Sequence, residues 1–110
     1  RIEGRYAAGL DFRLQASGGA DGSVHVDVEA VSRVDLRVNR AGLCLMHPLA
    51  ACGARVEVRH VDGRTSTSTF PRLIPPWPPF MLVRALRHEW VSGRWADAEL
   101  SGDVFETEDQ

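Results

Sequence analysis

A chain of 110 residues with 44% hydrophobic and 25% charged side chains has the composition of one ordinary globular domain, large enough for one modest core and too small for two. Thirteen basic against fifteen acidic residues leave a formal charge of -2 without any basic stripe, which argues against a nucleic-acid partner. No run of about 18 apolar residues exists to span a membrane, and no charged-then-apolar leader marks secretion, so the expected compartment is the cytoplasm.

All 13 basic residues are arginine. They alternate with acids and do not cluster, which reads as coding bias more than chemistry. The chain opens "RIEGR" without an initiator methionine, and "IEGR" matches the recognition sequence of a tag-removal protease. Residues 1–5 are therefore expected to be a cleavage remnant or a frayed start, or else the mark of a chain cut from a longer protein, with 6–110 forming a single β-domain.

Strand periodicity dominates from the start. Tyr6, Ala8, Leu10, Phe12 and Leu14 fall on every second position, opposite Asp11 and Arg13, as in a half-buried strand. Turn residues then gather from Ser17 to Gly22. Val24, Val26 and Val28 alternate with His25, Asp27 and Glu29, and Val34, Leu36 and Val38 repeat the pattern against Arg33, Asp35 and Arg37.

At Leu43–Cys44–Leu45–Met46 the alternation stops, which predicts a strand buried on both faces. Residues three apart on a strand face opposite ways, so Cys44 and His47 are not expected to act as nucleophile and base. Cys44 and Cys52 read as reduced and structural, with a bridge between them as the alternative. His47, before Pro48 at the strand's end, is a candidate for lining a cleft. A zinc site would need more closely spaced ligands than the chain offers, and neither a metal nor a cofactor is expected.

"RVEVRHVDGRTSTSTF" is the clearest local signal. Two Val- and Thr-rich runs flank Asp62–Gly63, a pair suited to a two-residue hairpin turn. The threonine run reads as a polar strand near a sheet edge. Pro75, Pro76, Pro78 and Pro79 then bracket Trp77 and predict a rigid extended loop over 71–79. Trp77 is either a platform for a sugar-like ligand or a plug closing the end of the sheet.

From Phe80 the chain is apolar again, with Leu82, Arg84, Leu86 and His88 on one face if extended. A guanidinium on an apolar face needs a partner, so Arg84 is either an ion-pair anchor or a binder of anions and hydroxyls. A hairpin at Ser92–Gly93 leads into "RWADAEL", and "DVFETEDQ" begins a last strand ending in the acids Glu106, Glu108 and Asp109, whose bland reading is a solvated terminus. The sum is an all-β, antiparallel, sandwich-like domain of about seven or eight strands.

"NRAGLCLMHP", "VEVRHVDGR", "FPRLI", "PF" with "RALRHE" and the closing "GDVFETEDQ", in that order, resemble the N-terminal region of the D-apionate lactonase family, bacterial proteins that open D-apionolactone to D-apionate in apiose catabolism. Trp77, Pro78 and Leu82 depart from the family's pattern. The resemblance implies a β-rich domain preceding a larger barrel-like catalytic part, so a C-terminal catalytic domain of the same protein is the expected partner, a sugar lactone or related small carbohydrate the expected ligand, and the isolated chain is expected to be inactive alone.

Lactone hydrolysis requires an activated water or nucleophile, a proton donor for the leaving alkoxide and positive charge near the oxyanion. Glu106, Glu108 and Asp109 are the candidate acids and bases. Arg84, His88, Trp77 and His47 are the candidate substrate contacts. A serine-centred triad is not expected, because no Gly-x-Ser-x-Gly sequence occurs. Two rival readings stay open: a noncatalytic carbohydrate-associated or structural β-module, and a sugar-epimerase-like sandwich in which His88 or His47 meets Glu106 or Glu108.

Overall fold

The computed structural model describes residues 1–7, 9–38 and 41–107. Its described residues are all-β, with seven strands in two antiparallel sheets and a single short 3-10 turn. No helix among them is long and apolar enough to cross a membrane. The chain divides into two compact units, Arg1–Cys44 and Leu45–Gln110.

The first unit is a meander of β1 (Ile2–Tyr6), β2 (Leu10–Gly18) and β3 (Val24–Ser32), in that order across the sheet. The predicted strand beginning at Tyr6 is instead the corner of a hairpin: Tyr6 pairs with Leu10, and Gly9, at φ +96°, donates its N–H to the Tyr6 carbonyl at 2.9 Å. Ile2–Tyr6, read as including a cleavage remnant, supplies the first strand. Register places Ile2, Leu14 and Val28 in one row and Glu3, Arg13 and Glu29 in the next. The first row lies on an apolar face and the second on a charged one, as period two requires. Asp11 on the charged face accepts from Arg5 at 2.7 Å and from Arg33, and those guanidinium contacts, Arg5 first, hold its carboxyl below the usual range.

The run from Arg33 to Val38, expected to be another strand, leaves the ladder after Ser32. The Ser32 hydroxyl bonds the Val34 carbonyl and sits 3.4 Å from the Val34 N–H. A side chain thus satisfies backbone groups that a neighbouring strand would otherwise take.

The second unit contains β4 (Arg55–His60), β5 (Thr65–Thr69), β6 (Val83–Val91) and β7 (Arg94–Glu99), in the sheet order β5-β4-β6-β7. β5 is an exposed edge strand, as its threonines and serines suggest. The hairpin forms where Asp62–Gly63 predicts it, with a three-residue loop in place of two: the Gly63 N–H donates to the His60 carbonyl at 3.0 Å, the His60 N–H to the Arg64 carbonyl at 2.8 Å, and Gly63 takes φ +85°. A left-handed glycine in last position is the usual form of such a loop. An added Cβ at Gly63 meets nothing within 4 Å, so the cost of Gly63→Ala is purely conformational. It should lower stability by about 1–2 kcal/mol in urea unfolding, and an unchanged midpoint would contradict the left-handed corner.

Strict alternation fails early in β6, and the register with β7 shifts again between Glu89 and Val91. His60 pairs with Val83 and Arg59 with Ala85, so Arg84 is the extra residue of a β-bulge. The bulge reverses the parity before it, and Val83, Leu86 and His88 are the buried positions of the strand. Val83 and Leu86 pack with Val56, Val58 and Phe80 into the core, flanked by Phe70, Leu100 and Phe105. After β7, Phe105 forms only an isolated bridge to Val83.

The segment through Leu43–His47 was expected to be a strand buried on both faces, and it is not. It joins no ladder, and Met46 is 90% exposed. Pro48 then leads into the 3-10 turn Leu49–Ala51, of which only Ala51 is buried. Cys44 and Cys52 are both exposed and unbridged. An apolar run alone marks burial only if a sheet offers it two faces, and here no strand pairs with it. The proline segment 71–79 carries no regular structure, as its composition dictates.

Candidate functional site

The second unit's sheet places one histidine at its core and the connection before the 3-10 turn brings a second one to it. His88 lies on β6 between Val56 of β4 and Ala96 of β7 and is 2% exposed. A buried imidazole must satisfy both nitrogens. Its Nδ1 sits 3.3 Å from the Glu89 carbonyl and its Nε2 3.0 Å from Nδ1 of His47. The carbonyl can only accept, so His88 carries its proton on Nδ1 and accepts at Nε2 from the His47 Nδ1–H. The unprotonated nitrogen of the pair is then Nε2 of His47.

Aromatic packing fixes both rings. Phe70 lies 5.1 Å from the His47 ring and 5.0 Å from that of His88, the latter at 88°, and Phe80 closes on Phe70 at 5.9 Å. Burial, and secondarily the neighbouring His88, pushes the His47 pKa below the ordinary 6.5. The arrangement can therefore present a neutral, oriented imidazole nitrogen at neutral pH, the form a general base or a hydroxyl acceptor needs.

Of the residues singled out from sequence, the structure brings His47 and His88 together. Arg84, on the bulge, donates from Nη1 to the Leu100 carbonyl at 2.9 Å, a partner that neither the ion-pair reading nor the anion-binding reading anticipated. Trp77 is 78% exposed in the proline loop. Glu106 is exposed and follows Phe105, which bridges to Val83 at the start of β6. Glu108 and Asp109 lie outside the described residues. The epimerase-like reading needs one of these carboxylates beside a histidine, and the neighbour the structure gives His47 is His88. No group of three possible metal ligands converges among the described residues.

Sequence reasoning passed over a further histidine. His60 Nδ1 lies 3.0 Å from the Met81 carbonyl and Nε2 2.7 Å from Ser66 Oγ. The available signal was the hairpin itself: with Val58 opposite Ser66, His60 and Ser66 are diagonal neighbours on one face.

Residues 1–110 match the family model described as D-apionate lactonase, N-terminal domain. The chain is 40% identical over 113 residues to the D-apionate lactonase of Brucella anthropi, an alignment that covers the whole chain and 18% of that protein. The chain thus spans under a fifth of the length of this relative. No solved structure matches. The chain belongs to the D-apionate lactonase N-terminal domain family.

Proposed function

We propose that this member of the D-apionate lactonase N-terminal domain family is the N-terminal β-module of a sugar-lactone hydrolase that opens D-apionolactone to D-apionate. The match from residue 1 to residue 110 carries the reading. The chain, its first strand Ile2–Tyr6 included, works in the cytoplasm as a β-module followed by a catalytic domain of the same protein, and Cys44 and Cys52 stay reduced.

Opening the lactone requires a base for the attacking water and an acid for the ring oxygen as its bond to the carbonyl carbon breaks. His47 is suited to accept a proton or a sugar hydroxyl at Nε2, because its other nitrogen is held by His88. Arg84 and Trp77 are further candidate sugar contacts, and Glu106, Glu108 and Asp109 candidate acids.

The test is ring opening of D-apionolactone followed by proton NMR, with the full-length protein and the 110-residue chain side by side. The full-length protein should consume the lactone, His47→Ala should slow it by roughly 100-fold, and the 110-residue chain should leave the lactone closed while its amide peaks near His47 and His88 shift. Full turnover in His47→Ala, with no shifts in the short chain, would instead favour a noncatalytic carbohydrate-associated module.

A further inference from the structure

We infer that Ser66 and His60 form a second reactive site, a nucleophilic serine able to take an acyl group from an ester or lactone. This rests on local geometry alone and holds whether or not the lactonase reading does. The Met81 carbonyl can only accept, so the His60 Nδ1, 3.0 Å away, carries the ring proton. Nε2 is then the lone-pair nitrogen, and it faces the Ser66 hydroxyl at 2.7 Å. That is the tautomer a general base requires, with a third group fixing the ring as a carboxylate does in serine hydrolases.

Two independent features support a reactive role over an incidental surface bond. Leu82 is the one non-glycine residue at positive φ among the described residues, at +54°. This unfavourable backbone accompanies two successive carbonyls turned to the same corner: Met81's to His60 Nδ1 and Leu82's to the Val61 N–H at 2.9 Å. Strain of this kind persists where surrounding contacts enforce it, and it gathers at functional sites. The second feature is the edge. The His60–Arg64 bond at 2.8 Å and the Phe70–Ala54 bond at 2.9 Å set the ladder's phase, which turns the N–H groups of Ser66 and Ser68 toward β4. The Thr67 N–H consequently points outward from β5, beyond which the sheet has no further strand. The N–H of the residue after the nucleophile is a recurrent oxyanion donor. A glycine-rich elbow is unnecessary here, since the exposed edge itself leaves Ser66 accessible.

The step balances without a co-reactant other than water. Ser66 Oγ bonds to the acyl carbon and gives its proton to His60 Nε2; the ring C–O bond breaks, and Nε2 returns the proton to the leaving alkoxide. Water then attacks the acyl-serine, its proton passing through Nε2 to Ser66 Oγ, and the hydroxy acid leaves.

Full-length protein should be treated with an alkyl fluorophosphonate and the adduct located by peptide mass spectrometry, with thermal melts confirming that each variant folds. The expected result is a phosphonylated Ser66 peptide, absent in Ser66→Ala and formed at least roughly 100-fold more slowly in His60→Asn, which can keep an N–H toward Met81 but offers no base. An unmodified Ser66 peptide in folded wild-type protein would overturn the inference, as would equal labelling of wild type and His60→Asn.

Discussion

Phe80→Ala should destabilise the Leu45–Gln110 unit by about 3–5 kcal/mol, the range for deleting a buried phenylalanine side chain. Phe80 is 7% exposed and is the largest of the five buried residues in the core cluster, the others being Val56, Val58, Val83 and Leu86. Its ring also makes the edge contact at 5.9 Å with Phe70, worth about 0.5–1.5 kcal/mol beyond area burial. Its backbone ties the last segment down, donating to Thr107 Oγ1 at 3.1 Å and accepting from the Thr107 N–H at 2.9 Å. The substitution keeps those backbone bonds and removes only the packing. Whole-domain stabilities are about 5–15 kcal/mol, so a unit with so small a core should lose much of its margin. Urea unfolding monitored by tryptophan fluorescence, with Trp90 and Trp95 in this unit, measures the loss; a midpoint within error of wild type would show that the aromatic cluster does not organise this core.

The parts of this fold that could be read from sequence are those decided by neighbours along the chain. Alternation through Leu10, Phe12 and Leu14 and through Val24, Val26 and Val28 identified parts of two strands because one side of each is apolar and the other charged, although Ser17 and Gly18, read as turn, continue the first of them. Asp62–Gly63 identified the hairpin because only glycine enters the left-handed region cheaply, although it did not tell a two-residue loop from a three-residue one. What failed depended on a competing side chain or on partners distant in sequence. Val34–Val38 alternates as well as β3 does, yet the Ser32 hydroxyl takes up the Val34 backbone. Leu43–Met46 is apolar enough for a central strand but pairs with none. In β6 the bulge at Arg84 shifted the buried set by one position, invisible to a period-two reading. The site divides in the same way. His47 and His88 were each singled out, but their pairing across 41 residues needs the sheet and the aromatic cluster to bring them together. His60 and Ser66 needed only the hairpin register, and attention to serine motifs of another fold class hid them.

His88→Leu should separate the two causes that keep His47 neutral. Leucine fills a comparable apolar volume beside Phe70 and Val56, so the unit should stay folded, while the acceptor for the His47 Nδ1–H disappears. Burial is the larger cause of the lowered His47 pKa, and repulsion between the two rings when both are protonated is the smaller. The variant should therefore titrate nearer 6.5 than wild type does, yet still below it, as followed by the His47 ring-proton shifts. Full return to 6.5 would mean that the pair, and not burial, sets the value. The same displacement gives stability a direction in pH. Between the lowered folded value and 6.5, the unfolded chain binds a proton that folded His47 does not, so stability rises with pH through that window. It is fully present above about 6.5 and declines as the pH falls through the folded value. Chemical denaturation of wild type from pH 7.5 downward should show this decline beginning near 6.5, and His88→Leu should show it over a narrower window because its folded value has moved closer to the unfolded one. An identical pH dependence in the two proteins would remove His88 from any control over the proton on His47, and with it the argument that the buried ring tunes the exposed one.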